Sequence, residues 1–138
     1  MAGLPIFWEV LVTRMYQGPR RLLLCVDDSP AILEYVRRIF EKTGYIVVTT
    51  TSARKGLRLA TRFSFDAVLL DYHMPEMNGH QLAYEIRRFR PGTPVVMLSG
   101  AEIPAETRQL VDAVIPKIEA QGKLLTTVIQ LCERLSPY

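Results

Sequence analysis

The chain has 138 residues, 49% of them hydrophobic, which is enough for one domain built on one core. Its net charge is +3, from 17 basic and 14 acidic side chains interleaved along the sequence, so no block of like charge marks a nucleic-acid tail and a docking surface for an acidic protein fits equally well. Glu9, Arg14 or Asp27 breaks each apolar run before it reaches the roughly 18 to 20 residues of a membrane span, and no basic start precedes the N-terminal apolar stretch as a secretory leader requires. The expectation is a cytoplasmic protein without membrane contact.

Residues 1–20 stand apart from the remainder of the chain. Leu4, Ile6, Phe7, Trp8, Val10, Leu11 and Val12 form an apolar patch that is costly to leave in water. The segment reads as an N-terminal extension: an element docked on the main domain, a partner-binding or dimer-forming element, or residues preceding a true start at Met15. From Arg21 to the C-terminus, short aliphatic runs alternate with amphipathic stretches, the pattern of βα units around a parallel sheet. Strands are expected at Leu22–Val26, Tyr45–Thr49, Ala67–Leu70, Pro94–Leu98 and Ala113–Ile115.

Ser29-Pro30 opens the first helix, with Ile32, Leu33, Val36, Ile39 and Phe40 on one face and Gly44 closing it. Ser52 caps a second helix with Leu57, Leu59 and Ala60 inward, and Asn78-Gly79 precedes a third with Leu82, Ile86 and Phe89 inward. Pro91-Gly92 ends the third. A fourth helix after Pro104 is short, and a fifth carries Leu124, Leu125, Val128, Ile129, Cys132 and Leu135 at helical spacing. Cys25 and Cys132 read as small buried hydrophobes. The expected fold is a three-layer α/β sandwich with a five-stranded parallel sheet in the flavodoxin-like order 2-1-3-4-5.

Ligands of such sheets bind beyond the carboxyl ends of the strands. Asp27 and Asp28 follow the first strand, Asp71 the third, Ser99 the fourth and Lys117 the fifth. Three clustered carboxylates repel unless a hard cation sits among them, and Mg²⁺ suits one or two direct carboxylates with waters. A carboxylate so neutralised is able to attack a phosphoryl group, while an ammonium and a hydroxyl stabilise its oxygens. His73 and His80 have no Cys or His partners at ligand spacing and read as surface or outer positions. Arg87, Arg88 and Arg90 end the third helix, where cations are favourable, so nucleic acid is disfavoured.

The stretches LLLCVDDSP, AVLLDYHMPEMNG, PVVMLSG and AVIPK resemble, in order and approximate spacing, the response-regulator receiver domain of two-component systems. The resemblance implies that Asp71 is the phosphoacceptor, Asp28 a direct Mg²⁺ ligand and Asp27 an outer or water-mediated one, with the backbone carbonyl of His73 as a third ligand. It implies that Ser99 bonds a phosphoryl oxygen and that Lys117 contacts the phosphate. It also implies phosphotransfer from a histidine kinase or phosphotransfer protein to a switch, rather than turnover of a separate substrate. With no output domain after Tyr138, signalling is expected through contacts with a downstream protein, or through a homodimer, unless the chain is a fragment. The alternative is a pseudo-receiver that only binds partners. A phosphohydrolase is disfavoured because Tyr72 and His73 follow Asp71 where an Asp-x-Asp motif is needed.

Three features depart from the family pattern. Proline precedes Lys117 instead of following it, so the Lys117–Ile118 bond is expected to be trans and the lysine aimed differently. Val114 stands where an aromatic residue is usual. The interval from Ser99 to Lys117 is short, which predicts a reduced, mobile fourth helix.

Overall fold

A computed structural model describes residues 20–134. Five parallel strands, β1 (Leu22–Val26), β2 (Ile46–Thr50), β3 (Ala67–Asp71), β4 (Val95–Ser99) and β5 (Ala113–Pro116), form one sheet in the order β2-β1-β3-β4-β5. The helices are α1 (Pro30–Glu41), α2 (Ala53–Arg62), α3 (Gly79–Phe89), α4 (Ala105–Leu110) and α5 (Ala120–Arg134), with a 3-10 turn at Lys117–Glu119. Strand bounds agree with the sequence reading to within a residue. Leu135 and the patch from Leu4 to Val12 lie outside the described residues.

The period of two along each strand divides the core into two layers. Leu23, Cys25, Ala67, Leu69, Val96 and Leu98 face α1 and α5, where Leu33, Val36, Phe40, Leu124 and Val128 are buried. Leu24, Val26, Val68, Leu70, Val95 and Met97 face α2 and α3, meeting Ala53, Ala60, Leu82, Ala83 and Ile86. Every residue of β3 and β4 is buried, as their aliphatic runs require. Both cysteines are free and buried.

Side-chain chemistry fixes the helix ends. Ser29 and Ser52 accept from the amides of Ile32 and Lys55, and Asn78 with Gln81 forms a reciprocal capping box. Gly44, with φ 91°, makes the left-handed turn from α1 into β2. Phe89, expected inward, is 56% exposed, while Ile86 three residues earlier is buried, so the inward stripe of α3 ends at Ile86. Of the nearby arginines, Arg88 pairs with Glu85 of its own helix, whereas Arg87 and Arg90 serve neighbouring helices. Arg90 donates to the Ala60 and Thr61 carbonyls (3.2 and 3.0 Å) at the end of α2, and Arg87 Nε to the Leu110 carbonyl (2.8 Å) at the end of α4.

α4 has six residues and no side-chain N-cap. Its buried Thr107 shares a 2.8 Å hydrogen bond with His80 Nδ1 of α3, which places His80 between two helices. No helix among the described residues is long and apolar enough to cross a membrane.

Candidate functional site

The parallel sheet delivers Asp27, Asp71, Ser99 and Lys117 to one rim because each ends or directly follows a strand. Asp27 is 1% exposed, and its two oxygens do different work. Oδ1 accepts from Ser29 N (2.9 Å) in the turn that precedes α1, whose N-cap is Ser29. Oδ2 has no hydrogen bond among the described residues, although Lys117 Nζ stands 3.2 Å away. Asp28 is exposed beside it.

Asp71 is 4% exposed at the end of β3, and its Oδ1 lies 3.2 Å from the same Lys117 amine. One carboxylate oxygen from each of Asp27, Asp28 and Asp71 falls within 4.8 Å of the others. Burial first, and then the Asp27 charge, push the Asp71 carboxyl up to about 6, with Lys117 pulling the other way. Burial lowers the Lys117 amine, but the charges of Asp27 and Asp71 outweigh it and hold the amine above its usual range. An all-oxygen, acidic, partly exposed cluster with an unbonded buried oxygen fits a hard divalent cation.

Lys117 reaches the acids without a following proline and without a cis peptide anywhere in the described chain. It opens the 3-10 turn directly after β5, and this geometry aims its side chain at the rim. Ile118, which stands where the family usually has a proline, is 95% exposed.

Ser99 is buried at the end of β4, but its hydroxyl donates to the Ala101 carbonyl and accepts from the Ala101 amide (3.0 Å). It is engaged with its own loop rather than with Asp71. His73 is exposed two residues beyond Asp71, its ring edge-on to Tyr72 at 4.9 Å.

Gly79 was legible only as the start of a helix. A Cβ there would lie 2.6 Å from the Asp71 carbonyl oxygen and 2.8 Å from both Tyr72 Cα and Met97 Sδ. Gly79 N donates to the Tyr72 carbonyl (2.7 Å), so α3 closes directly onto the loop carrying the acid. The spacing of eight residues between Asp71 and Gly79 is the only signal of this in the sequence.

Comparison with known proteins agrees with this geometry. The sequence profile of the response regulator receiver domain matches residues 23–128. The transcriptional regulatory protein GlrR of Escherichia coli K12 is 36% identical over 127 residues, covering 89% of this chain and 28% of that protein. The response regulator SaeR of Staphylococcus aureus is 36% identical over 77 residues, covering 56% of this chain and 33% of that protein. The chain thus spans about a third or less of these relatives. Among solved structures, a CheY-like receiver domain protein from Methanospirillum hungatei JF-1 superposes with a TM-score of 0.79 at 28% identity, covering 85% of this chain and 97% of the other. The response regulator TrrA from Thermotoga maritima, in complex with Mg²⁺-BeF, gives 0.76 at 25% identity, with 80% and 98% covered.

Proposed function

The chain belongs to the response regulator receiver domains of two-component systems, and from that premise we propose that it is a phosphoryl-accepting switch with Asp71 as the acceptor. The receiver unit is taken to run from Arg21 to the C-terminus, with 1–20 as an extension. The observation that carries the reading is the placement of Lys117 Nζ 3.2 Å from both Asp27 and Asp71 at the mouth of a three-carboxylate cluster.

In this mechanism Asp71, fixed by β3, presents an oxygen to the phosphorus of a phosphohistidine or small phosphodonor. The new bond is from Asp71 oxygen to phosphorus, and the bond broken is from phosphorus to the donor atom. Lys117 follows the charge from the carboxylate to the phosphoryl oxygens, and Ser99 turns from Ala101 to donate to one of them. Asp28, Asp71 and the His73 carbonyl would hold Mg²⁺, with Asp27 in an outer role, and the ion would supply charge neutralisation there. Gly79 keeps α3 close enough to hold the acceptor loop. The Mg²⁺-BeF complex described for TrrA supports the metal assignment. A histidine kinase or phosphotransfer protein upstream, a protein target or second copy downstream, and a cytoplasmic location complete the proposal.

A second reading, a pseudo-receiver that only binds partners, has Ser99 on its side, since both hydrogen-bonding functions of the hydroxyl are taken by Ala101. Intact-mass measurement after treatment with a small phosphodonor separates the two. The switch gains one Mg²⁺-dependent phosphoryl adduct, absent from Asp71→Asn. A folded, Mg²⁺-binding wild type that gains none is a pseudo-receiver.

A further inference from the structure

The end of the sheet opposite the carboxylates carries apolar surface with no role in the site. Ile46, first in β2, is 46% exposed, and Phe63, directly after α2, is 52% exposed. Both stand where the described chain begins. Ile46 N donates to the Arg21 carbonyl (2.9 Å), and Ile46 is the register partner of Leu22. Register partners project to the same side of a sheet, so Ile46 lies beside half-buried Leu22 on the face that α2 covers. Phe63 lies three residues before Asp66, whose amide donates to the Leu22 carbonyl (2.8 Å) and whose carboxylate accepts from Leu22 N (2.6 Å). Three residues span at most about 11 Å, so Phe63 borders the same entry point.

The chain that leads into this point holds Leu4, Ile6, Phe7, Trp8, Val10, Leu11 and Val12, an apolar block in need of cover. We propose that this block of the same chain docks on the surface formed by Ile46 and Phe63, as an intramolecular cap on the end of the sheet remote from the acids. From Val12 to Arg20 the backbone covers about 12 Å if helical and about 26 Å if extended, so either conformation reaches. Charge agrees. Glu9 is the only acid before Asp27, and the exposed charges nearest Phe63 in the chain are Arg58 and Arg62 of α2. The proposal is independent of any phosphoryl chemistry.

Trp8 is the only tryptophan of the chain, so fluorescence of the full-length protein reads the docking directly. Its emission is expected to be blue-shifted, and its quenching by acrylamide several-fold weaker than in the guanidinium-unfolded chain, at every protein concentration. Ile46→Asp and Phe63→Asp, at exposed positions, should each restore quenching toward the unfolded value with unchanged circular dichroism, while Tyr84→Asp on α3 leaves it alone. Free quenching in the native wild type overturns the proposal. So does protection indifferent to Ile46→Asp and Phe63→Asp, or equally lost in Tyr84→Asp. Protection that disappears on dilution, together with a monomer–dimer equilibrium in sedimentation, transfers the block to a second copy, and protection seen only with anionic vesicles transfers it to a membrane.

Discussion

At the scale of single residues, the burial of Asp71 carries a cost to the fold. Its carboxyl is raised to about 6 from the ordinary range near 4, so the folded, metal-free protein holds this proton more tightly than the unfolded chain does. Its contribution to stability is therefore full below about pH 4 and lost as pH rises through about 6. Asp71→Asn, which does not titrate, should be more stable than wild type by on the order of 1 to 2 kcal/mol at pH 7.5 without Mg²⁺, the gap closing toward pH 4. Urea denaturation of both proteins at several pH values measures it, and equal stability at pH 7.5 refutes it. Gly79 sets a different limit. With backbone at 2.6 Å, Gly79→Ala must displace α3 or the acceptor loop, an overpacking cost of about 1 to 3 kcal/mol that thermal denaturation should register. The acids and Ser99 were legible because each ends an aliphatic run, but the closeness of Gly79 to Asp71 and the turn of Ser99 toward Ala101 were not. Both depend on backbone paths that residue type leaves undetermined.

At the scale of elements, the short α4 is the least self-sufficient part of the fold. Six residues without a side-chain cap cannot sustain a helix alone, and α4 relies on His80 at Thr107 and on Arg87 at Leu110, both from α3. Replacing His80 by Ala leaves a buried hydroxyl without its partner, a loss of about 1 to 3 kcal/mol, so amide exchange across Ala105–Leu110 should accelerate about fivefold or more. Unchanged exchange there excludes the latch. The shortness of α4 was readable from the interval between Ser99 and Lys117, whereas its supports were not. His80 read as a surface or outer residue, and Arg87 and Arg90 as ordinary helix-end cations, because contacts between helices distant in sequence leave no periodic trace. The strands were legible nearly to the residue, since β3 and β4 are buried throughout and apolar up to the terminal Asp71 and Ser99.

At the scale of the whole molecule, the fold separates a charged rim at one end of the sheet from an apolar surface at the other. A ligand that binds only the folded state at about 100 times its Kd stabilises it by about 2.7 kcal/mol, so Mg²⁺ should raise the melting temperature of wild type. Asp28 is exposed and outside the core, so Asp28→Ala should melt like wild type without Mg²⁺ yet lose the response to it. A full Mg²⁺ response in that variant moves the metal elsewhere. The order of the sheet was readable from the alternation of runs, but the apolar end at Ile46 and Phe63 was not, because only the assembled register brings those positions to the place where the chain enters.

The amine of Lys117, 3.2 Å from both Asp27 and Asp71, is in effect a tethered counter-ion already resident among the acids. In the proposed switch an arriving divalent ion competes with it for the same oxygens, so metal affinity is lowered while a cation stays ready for the phosphoryl group. Lys117→Met removes the competitor, and calorimetric titration should then show tighter Mg²⁺ binding in the variant that transfers phosphoryl groups more slowly. In the proposed switch, affinity and reactivity, which usually fall together when a site is damaged, are set against each other by a single side chain.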